Sequence, residues 1–586
     1  MTDNRPHVDV LADWRLKAIT IFVSACFAVL GLRLFQLQIL RGSEMARLAE
    51  MNRTQIIPLR APRAVVMDRH GDVLLENAPN FSLFYSAQAL PEKAHRNVED
   101  DVLRWFPAME PLLKRKFAEA RLTGKMTRIS ADIPRPVALA LIEKRLSLPG
   151  VSVVVEPKRR ARYGSLCSHV LGYVDEISSA ELERLREEGY RMGQLVGRMG
   201  IERVYENILR GEDGGIQFEM DAGGRHVHVM RRIAPRPGPL ATLTIDRRLQ
   251  EAVEQGLKAS ETKKGAAVVV DPRSGAVLAL ASSPDFDPSA SVIPYLTDPG
   301  LPLFNRAIQG TYPPGSVFKI VDAAAALFDA DWDIKQTFNC PGKFYVGSKE
   351  FGCWGVHHVK DFMGAVAWSC NVYFYNLGIR TGPDAIERMA RAFGFAEKTG
   401  IDLTSETAGF IPGRAWKKEY RKVPWFDGDT ANLAIGQGAV AATPLQVAMM
   451  VSSVANGGQL WKPFVMDSVV DRSGRVLFKQ SPVLRRTVEM PQRIWERLGL
   501  AMQGVVTVGT GRGVHRPDLV VGAKSGTAQN PHGREHAWFA AYAGRPGEPA
   551  SLVVVVCVEN GGRGSAAAGP VARAAINAAF PLEKKT

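Results

Sequence analysis

The sequence predicts an α+β protein of more than one domain, carried behind an N-terminal membrane anchor. Three observations support this. The chain has 586 residues, and single hydrophobic cores stop growing near about 250–300 residues, so at least two domains are needed. An apolar run, Ala18–Leu37, stands alone near the N-terminus. The C-terminal half has strand-like runs at both ends and helical stretches between, as expected of one sheet assembled from distant segments.

Composition sets the limits. Apolar residues make up 46% and charged residues 23%, which excludes disorder over most of the length and a polytopic membrane protein. The net charge of +14 suits nucleic acid, an anionic membrane surface or an anionic polymer equally well. The chain shows no nucleic-acid fold motif, no P-loop and no dinucleotide fingerprint. Export behind an anchor therefore turns the excess charge toward lipid and polymer, with no nucleic acid as partner. Six cysteines in 586 residues are too few for a disulfide scaffold.

The run Ala18–Leu37 is about one bilayer crossing long, with Arg33 near its end where a long side chain can snorkel. Arg15 and Lys17 precede it, which favours a cytoplasmic N-terminus over residues 1–17 and a bulk outside the cytoplasm. A cleaved signal peptide has a shorter apolar core. The lipoprotein-like Val23-Ser24-Ala25-Cys26 is followed by too much further apolar sequence. A single uncleaved anchor over 18–37 is the expectation.

Residues 42–235 are mixed and Arg-rich, with a helical stretch at Ser178–Glu188 and a strand-like run at Val151–Val155. The stretch 226–240 carries three prolines and reads as a linker. From Gly265 the chain reads GAAVVVDPRSGAVLALAS, a hairpin whose turn is Asp271-Pro272-Arg273-Ser274-Gly275. HAWFAAYAG and ASLVVVVCVEN are two further strands, and VARAAINAAF is a closing helix.

Chemistry enters at GTYPPGSVFKIVDAAAALF. Pro313-Pro314-Gly315 leads into an Ala-rich helix, which places Ser316 and Lys319 at i and i+3 on one face of its first turn. A lysine made neutral by desolvation can take a proton from such a serine, and the helix start favours the negative charge that develops. Alone the spacing is weak: Ser260-Glu261-Thr262-Lys263 has it too, and reads as a solvated helix end. Two partners change that. Ser369-Cys370-Asn371 offers a relay hydroxyl and an amide to hold a peptide. Lys524-Ser525-Gly526-Thr527 offers a cation, hydroxyls and a glycine where substrate can approach the backbone, a set suited to a ligand ending in a carboxylate. Lys398-Thr399-Gly400 competes with the third motif but reads as a helix C-cap turn, whereas Lys524 lies between strand-like runs.

Ser-x-x-Lys, Ser-x-Asn and Lys-Ser/Thr-Gly together are the motif set of β-lactamases and penicillin-binding proteins. Over nearly its whole length the chain resembles the class B penicillin-binding proteins, in the branch specific to wall elongation. Arg60-Ala61-Pro62-Arg63 with Asp68-Arg69-His70-Gly71, and Gly200-Ile201-Glu202 with Leu209-Arg210-Gly211, look like the pedestal motifs of that family. Asn305-Arg306-Ala307, Tyr312-Pro313-Pro314-Gly315-Ser316, Ile435-Gly436-Gln437-Gly438 and Val558-Glu559-Asn560-Gly561-Gly562 look like its elongation type. Ser525, where β-lactamases more often have Thr, and Phe318 before the motif lysine are mild departures.

The resemblance implies an elongated pedestal over 42–235 and a transpeptidase domain over 240–580, β-lactamase-like, an antiparallel sheet with helices on both faces. It implies a peptidoglycan D,D-transpeptidase of the bacterial inner membrane, blocked by β-lactams. Ser316 attacks the penultimate D-Ala of one stem peptide, Lys319 is the base, Ser369 relays the proton to the leaving amine and Asn371 holds the acyl-side peptide. Lys524 and Thr527, with Ser525 and Gly526 in the same strand, bind the carboxylate, and the N–H groups of Ser316 and Thr527 form the oxyanion hole. A membrane glycosyltransferase of the shape–elongation–division (SEDS) family and elongation-complex proteins are the implied partners. A division-specific relative, a D,D-carboxypeptidase, a β-lactamase, a class A enzyme, and a β-lactam sensor or inert scaffold are the alternatives. The pedestal and anchor disfavour a β-lactamase. The region before residue 240 has no glycosyltransferase motif, the three active-site motifs are complete, and there is no cytoplasmic signalling domain.

Half of the cysteines, Cys340, Cys353 and Cys370, fall in one short stretch that also holds His357 and His358. Three thiolates and one imidazole make a closed structural zinc set. The resemblance favours His357, since relatives have a Trp-then-His pattern with a metal ligand at the comparable place. A Cys340–Cys353 disulfide and buried free thiols are the other readings. Zn2+ held there would tether the second motif and take no part in the chemistry.

Overall fold

The structure, a computed structural model, describes residues 10–45, 54–87, 92–124, 126–220, 226–531 and 533–582. The chain divides into two compact units that interleave in sequence. One comprises Met1–Ala61, Pro79–Pro157 and Glu212–Arg236; the other comprises Pro62–Ala78, Lys158–Gly211 and Pro237–Thr586.

In the first unit a helix runs over Val10–Phe35. The stretch Trp14–Leu40 is long and apolar enough to cross a membrane, and Ile21, Phe22, Phe27 and Leu32 on it are exposed. It begins before and ends after the expected 18–37; residues 1–9 of the expected N-terminal segment lie outside the described residues. A small core forms where Tyr85, Val98, Val102, Phe117, Ile129 and Leu141 pack together, with the Tyr85 hydroxyl 2.6 Å from His95 Nδ1. Thr54–Leu59, Gly214–Met220 and His226–Ile233 pair as three antiparallel strands. The linker expected over 226–240 is thus corrected. Alternation in HVHVMRRI builds a strand, and the prolines act only after it ends.

In the second unit two motifs 139 positions apart meet. Glu202, fully buried, accepts from Arg63 and from Arg159, each at 2.6 Å. Glu206 accepts from Arg63 at 2.6 Å and from the Tyr190 hydroxyl at 2.9 Å. Burial opposes the charge on Glu202, but the two guanidiniums outweigh it and hold its carboxyl below the usual range.

The largest part of the rest of this unit is a five-stranded sheet between two helical layers. Among its elements are α1 (Arg247–Ala259), β1 (Gly265–Val270), β2 (Val277–Ser283), α2 (Lys319–Asp329), α3 (Phe362–Ala367), α4 (Asn371–Thr381), α5 (Pro444–Ala455), α6 (Gln492–Thr507), β3 (Val520–Ala528), β4 (His536–Gly544), β5 (Leu552–Val558) and α7 (Gly569–Ala579). The strand order is β2-β1-β5-β4-β3, all antiparallel. β1 and β5 are buried along their whole length because helices cover both faces. Val268, Val270, Val553 and Val555 share one core with α2, α4 and α5. Val269, Val554 and Val556 face the other, against Leu249, Val253 and Leu257 of α1 and Val571, Ala575 and Ile576 of α7. Burial on both faces explains why these strands read as continuous apolar runs rather than as alternation.

Candidate active site

Ser316 sits where a 3-10 turn, Gly315–Phe318, runs into α2. A 3-10 turn eclipses positions i and i+3, so Ser316 and Lys319 fall on the same side of the chain. The turn is pinned from two sides: Gly315 N–H donates to Gly436 O at 3.0 Å, and Trp538 Nε1 donates to Pro313 O at 2.9 Å. Gly526 on β3 lies against the same turn. A Cβ there would stand 3.0 Å from Val317 Cγ2 and from Trp538 Cβ, a tight contact that would require these neighbours to give way.

Lys319 is completely buried at the root of α2. Its Nζ donates to Asn371 Oδ1 at 2.6 Å and to Ser369 O at 2.8 Å, and lies 3.4 Å from Ser369 Oγ. Burial brings its pKa down to about 8, against the upward pull of the thiols of Cys353, Cys370 and Cys340 and of Asp322. Asp322, one turn on, is wholly buried with no hydrogen-bond partner for either oxygen, and burial pushes its carboxyl well above the usual range.

Lys524 arrives from β3, the edge strand, also completely buried. Its Nζ donates to Ser369 Oγ at 2.7 Å and to Ser525 O at 3.0 Å. Burial, reinforced by the charge of Lys319, pushes its pKa well down. Ser369 therefore presents its hydroxyl between two desolvated amines. It does so from a left-handed backbone (φ 53°), a conformation that is strained for a residue with a Cβ and concentrates at functional sites. Asn371 opens α4, its Nδ2 donating to Gly352 O at 3.1 Å. Ser525 and Thr527 share one side of β3 by alternation, Thr527 exposed and Ser525 nearly buried. The Thr527 carbonyl accepts from Gln437 Nε2 at 3.4 Å.

The two sequence decoys fall elsewhere. Ser260 is the C-cap of α1. Lys398 is exposed in a loop whose Thr399 and Gly400 N–H groups donate to the Glu406 carboxylate at 2.7 and 3.0 Å. This loop lies beyond the C-cap of helix Pro383–Ala392, which corrects the C-cap reading of the motif while leaving Lys398 out of the site.

Sequence reasoning missed several supports. Glu559 accepts from Arg306 Nε at 2.9 Å and from the Tyr312 hydroxyl at 2.7 Å, which ties the end of β5 to the approach to Ser316. Nothing in the spacing of Tyr312 and Glu559 signals that contact.

The ligand atoms of Cys340, Cys353, His357 and Cys370 all lie within 4.8 Å of one another. His357 is buried with Nδ1 3.4 Å from Cys353 Sγ and 3.6 Å from Cys340 Sγ, while His358 is exposed. All three sulfurs are unbridged. Three soft sulfurs and one imidazole within this distance make a donor set that fits a tetrahedral zinc ion. Asn371 N–H also donates to Cys353 Sγ at 3.3 Å, so the cluster grips the second motif directly.

A serine one turn before a buried lysine, a second serine between two lysines and an edge strand define a serine acyltransferase of the penicillin-recognising fold. The chain belongs to the class B penicillin-binding proteins. The penicillin-binding protein transpeptidase domain matches residues 265–577, and the penicillin-binding protein dimerisation domain matches 58–242. The chain is 34% identical to the peptidoglycan D,D-transpeptidase MrdA of Haemophilus influenzae over 93% of its own length and 88% of the relative. The solved penicillin-binding protein PBP2 of Helicobacter pylori, in its complex with MreC, is similar with a TM-score of 0.78 at 26% identity, covering 90% of this chain and 99% of that one. A chain of a peptidoglycan synthase complex, solved for the coordination of polymerization and crosslinking, is similar with a TM-score of 0.71 at 30% identity, covering 98% and 99%.

Proposed function

We propose that this chain is the D,D-transpeptidase that cross-links peptidoglycan stem peptides during lateral wall elongation, through an acyl-enzyme on Ser316. The observation that carries the reading is the Ser369 hydroxyl held between the buried amines of Lys319 and Lys524. A stem ending in D-Ala-D-Ala lies along β3 with its carboxylate at Ser525, Thr527 and Lys524. Ser316 Oγ attacks the penultimate carbonyl carbon and gives its proton to neutral Lys319 Nζ. The C–O bond forms, and the N–H groups of Ser316 and Thr527 take the oxyanion. On collapse the C–N bond breaks. Ser369 hands its proton to the departing D-Ala amine and recovers one from Lys319. Asn371 keeps the acyl-side peptide aligned. An amine of a neighbouring stem then attacks the ester, an amide forms, and the proton returns to Ser316 by the same path. A β-lactam enters by the same attack but keeps its leaving group tethered, and so stalls.

Cys340, Cys353, His357 and Cys370 hold a structural Zn2+ in this reading. The closed ligand set offers no position for reactive water, so the ion supplies rigidity to Ser369 and Asn371 on either side of Cys370. The helix ending near Leu40 is the single membrane anchor of an inner-membrane protein, with Arg15 and Lys17 on the cytoplasmic side. A SEDS-family glycosyltransferase and elongation-complex proteins are the partners. The two solved relatives from assemblies, one with MreC and one in a synthase complex, support this.

Fluorescent penicillin tests the core of the reading. The full chain is expected to label, Ser316→Ala to fold and lose the label, and Ser260→Ala to label as the parent does. Label retained in Ser316→Ala overturns it.

A further inference from the structure

Thr510 is a residue the reaction above leaves unused, yet it touches the third motif and the chain leading into the second. Its Oγ1 lies 2.7 Å from Ser525 Oγ on β3. Its backbone N–H donates to Ala367 O at 3.2 Å, at the end of α3 and two residues before Ser369. The loop after α6 that carries it is fixed in place. Gly509 N–H donates to Gly504 O at 3.1 Å and Gly511 N–H to Val505 O at 2.8 Å. Gly509 passes so close to α3 that a Cβ would stand 2.0 Å from Ala367 O. Ser525 is equally constrained: its own carbonyl accepts from Lys524 Nζ at 3.0 Å, and its Cα pairs with that of Phe539 across β3 and β4.

We infer that Thr510 is a positioning residue for substrate-carboxylate recognition, its hydroxyl donating to Ser525 Oγ so that the single Ser525 proton points at the carboxylate. This rests on the transpeptidase reading and deepens it. The direction follows from the inventory of protons. A hydroxyl has one proton to give and two lone pairs, whereas a carboxylate only accepts. With the carboxylate bound, the Ser525 proton must go to it, and the 2.7 Å contact can then be a hydrogen bond only if Thr510 donates. Without Thr510, Ser525 Oγ is free to rotate its proton elsewhere, and the charge-assisted bond loses both its orientation and the polarisation a chain of donors supplies. The Thr510 backbone N–H is also bonded to Ala367 O, so the loop that supports carboxylate recognition touches the chain leading into Ser369.

Acylation of the full chain by benzylpenicillin and by its methyl ester, which keeps oxygen acceptors but no negative charge, tests the inference. Thr510→Val keeps the shape and removes the hydroxyl. Thr510→Ser keeps the hydroxyl and removes a methyl group. Thr510→Val is expected to lower the second-order acylation constant for benzylpenicillin about tenfold, the scale of one oriented bond to a charge, and to change that for the ester by less than about twofold. Thr510→Ser is expected to stay near the parent on both. Equal losses on the two probes, or a Thr510→Ser as impaired as Thr510→Val, mean a packing role and overturn it, as does an unchanged benzylpenicillin rate in Thr510→Val. If the parent chain itself is not acylated on Ser316, the transpeptidase reading fails and this inference with it; acylation of the parent with no effect in Thr510→Val fails the inference alone.

Discussion

Lys524 Nζ donates to Ser369 Oγ at 2.7 Å across 155 positions of sequence. That contact joins the third motif to the second, so in the proposed reaction the edge strand bears on the relay serine as well as on the substrate. It also separates Lys524 from its sequence decoy. Lys524→Met, which keeps the volume, is expected to slow penicillin acylation by at least about a hundredfold, since the amine bonded to Ser369 Oγ and the group proposed to meet the substrate carboxylate are lost together. Lys398→Met, on an exposed loop, is expected to acylate as the parent does. Stopped-flow acylation rates check both; similar losses in the two contradict the assignment.

Acylation should rise with pH. Lys319 must be neutral to accept the proton of Ser316, and its pKa is brought down to about 8 from 10.5 by burial. At pH 7 roughly a tenth of the molecules hold it neutral, and the rate climbs until it levels above about pH 9. Between the folded and unfolded values the folded chain binds fewer protons, so stability from this residue also increases with pH across that window. A rate profile flat from pH 6 to 9 would remove Lys319 as the base.

Protein purified without chelator is expected to carry close to one zinc per chain. Cys353→Ser should lose the metal, lower the melting temperature and slow acylation, because Asn371 N–H rests on that sulfur at 3.3 Å. Elemental analysis beside thermal denaturation reads both effects. Metal-free protein with all thiols titratable would leave the cluster as packed cysteines.

Glu202 lies between two guanidiniums and is fully buried. Glu202→Gln leaves Arg63 and Arg159 facing each other without a full counter-charge. Chemical denaturation should show a loss of about 3–5 kcal/mol, the usual cost of stripping one partner from a buried ion pair. A loss below about 1 kcal/mol would mean that Glu206 suffices.

The site was legible where chemistry is local. Ser316 and Lys319 stand out from the Ser260–Lys263 decoy only in company with Ser369-Cys370-Asn371 and Lys524-Ser525-Gly526-Thr527, and the structure brings Lys319, Ser369, Asn371 and Lys524 together. β1, β4 and β5 declare themselves by short, β-branched or aromatic apolar runs bounded by turn residues, as strands covered on both faces do. Long-range closure was not legible. Residues 62–78 and 158–211 fold with the C-terminal unit without any compositional mark. The strand His226–Ile233 was hidden by the prolines that follow it. The Glu559–Tyr312 and Thr510–Ser525 bonds join side chains whose meeting is decided by tertiary packing rather than by neighbours in sequence.

β3 closes the sheet order on one side. A bare strand edge is ordinarily a hazard, a template for unwanted pairing that proteins blunt or cover. Here the hazard is put to use. In the proposed reaction the sheet behaves as though it lacks a sixth strand, which an extended stem peptide supplies for one turnover. Such recognition reads main-chain geometry, so any molecule that copies the outline of that borrowed strand gains entry. The tolerance that lets one enzyme accept stems from a growing polymer is the same tolerance that leaves it open to impostors.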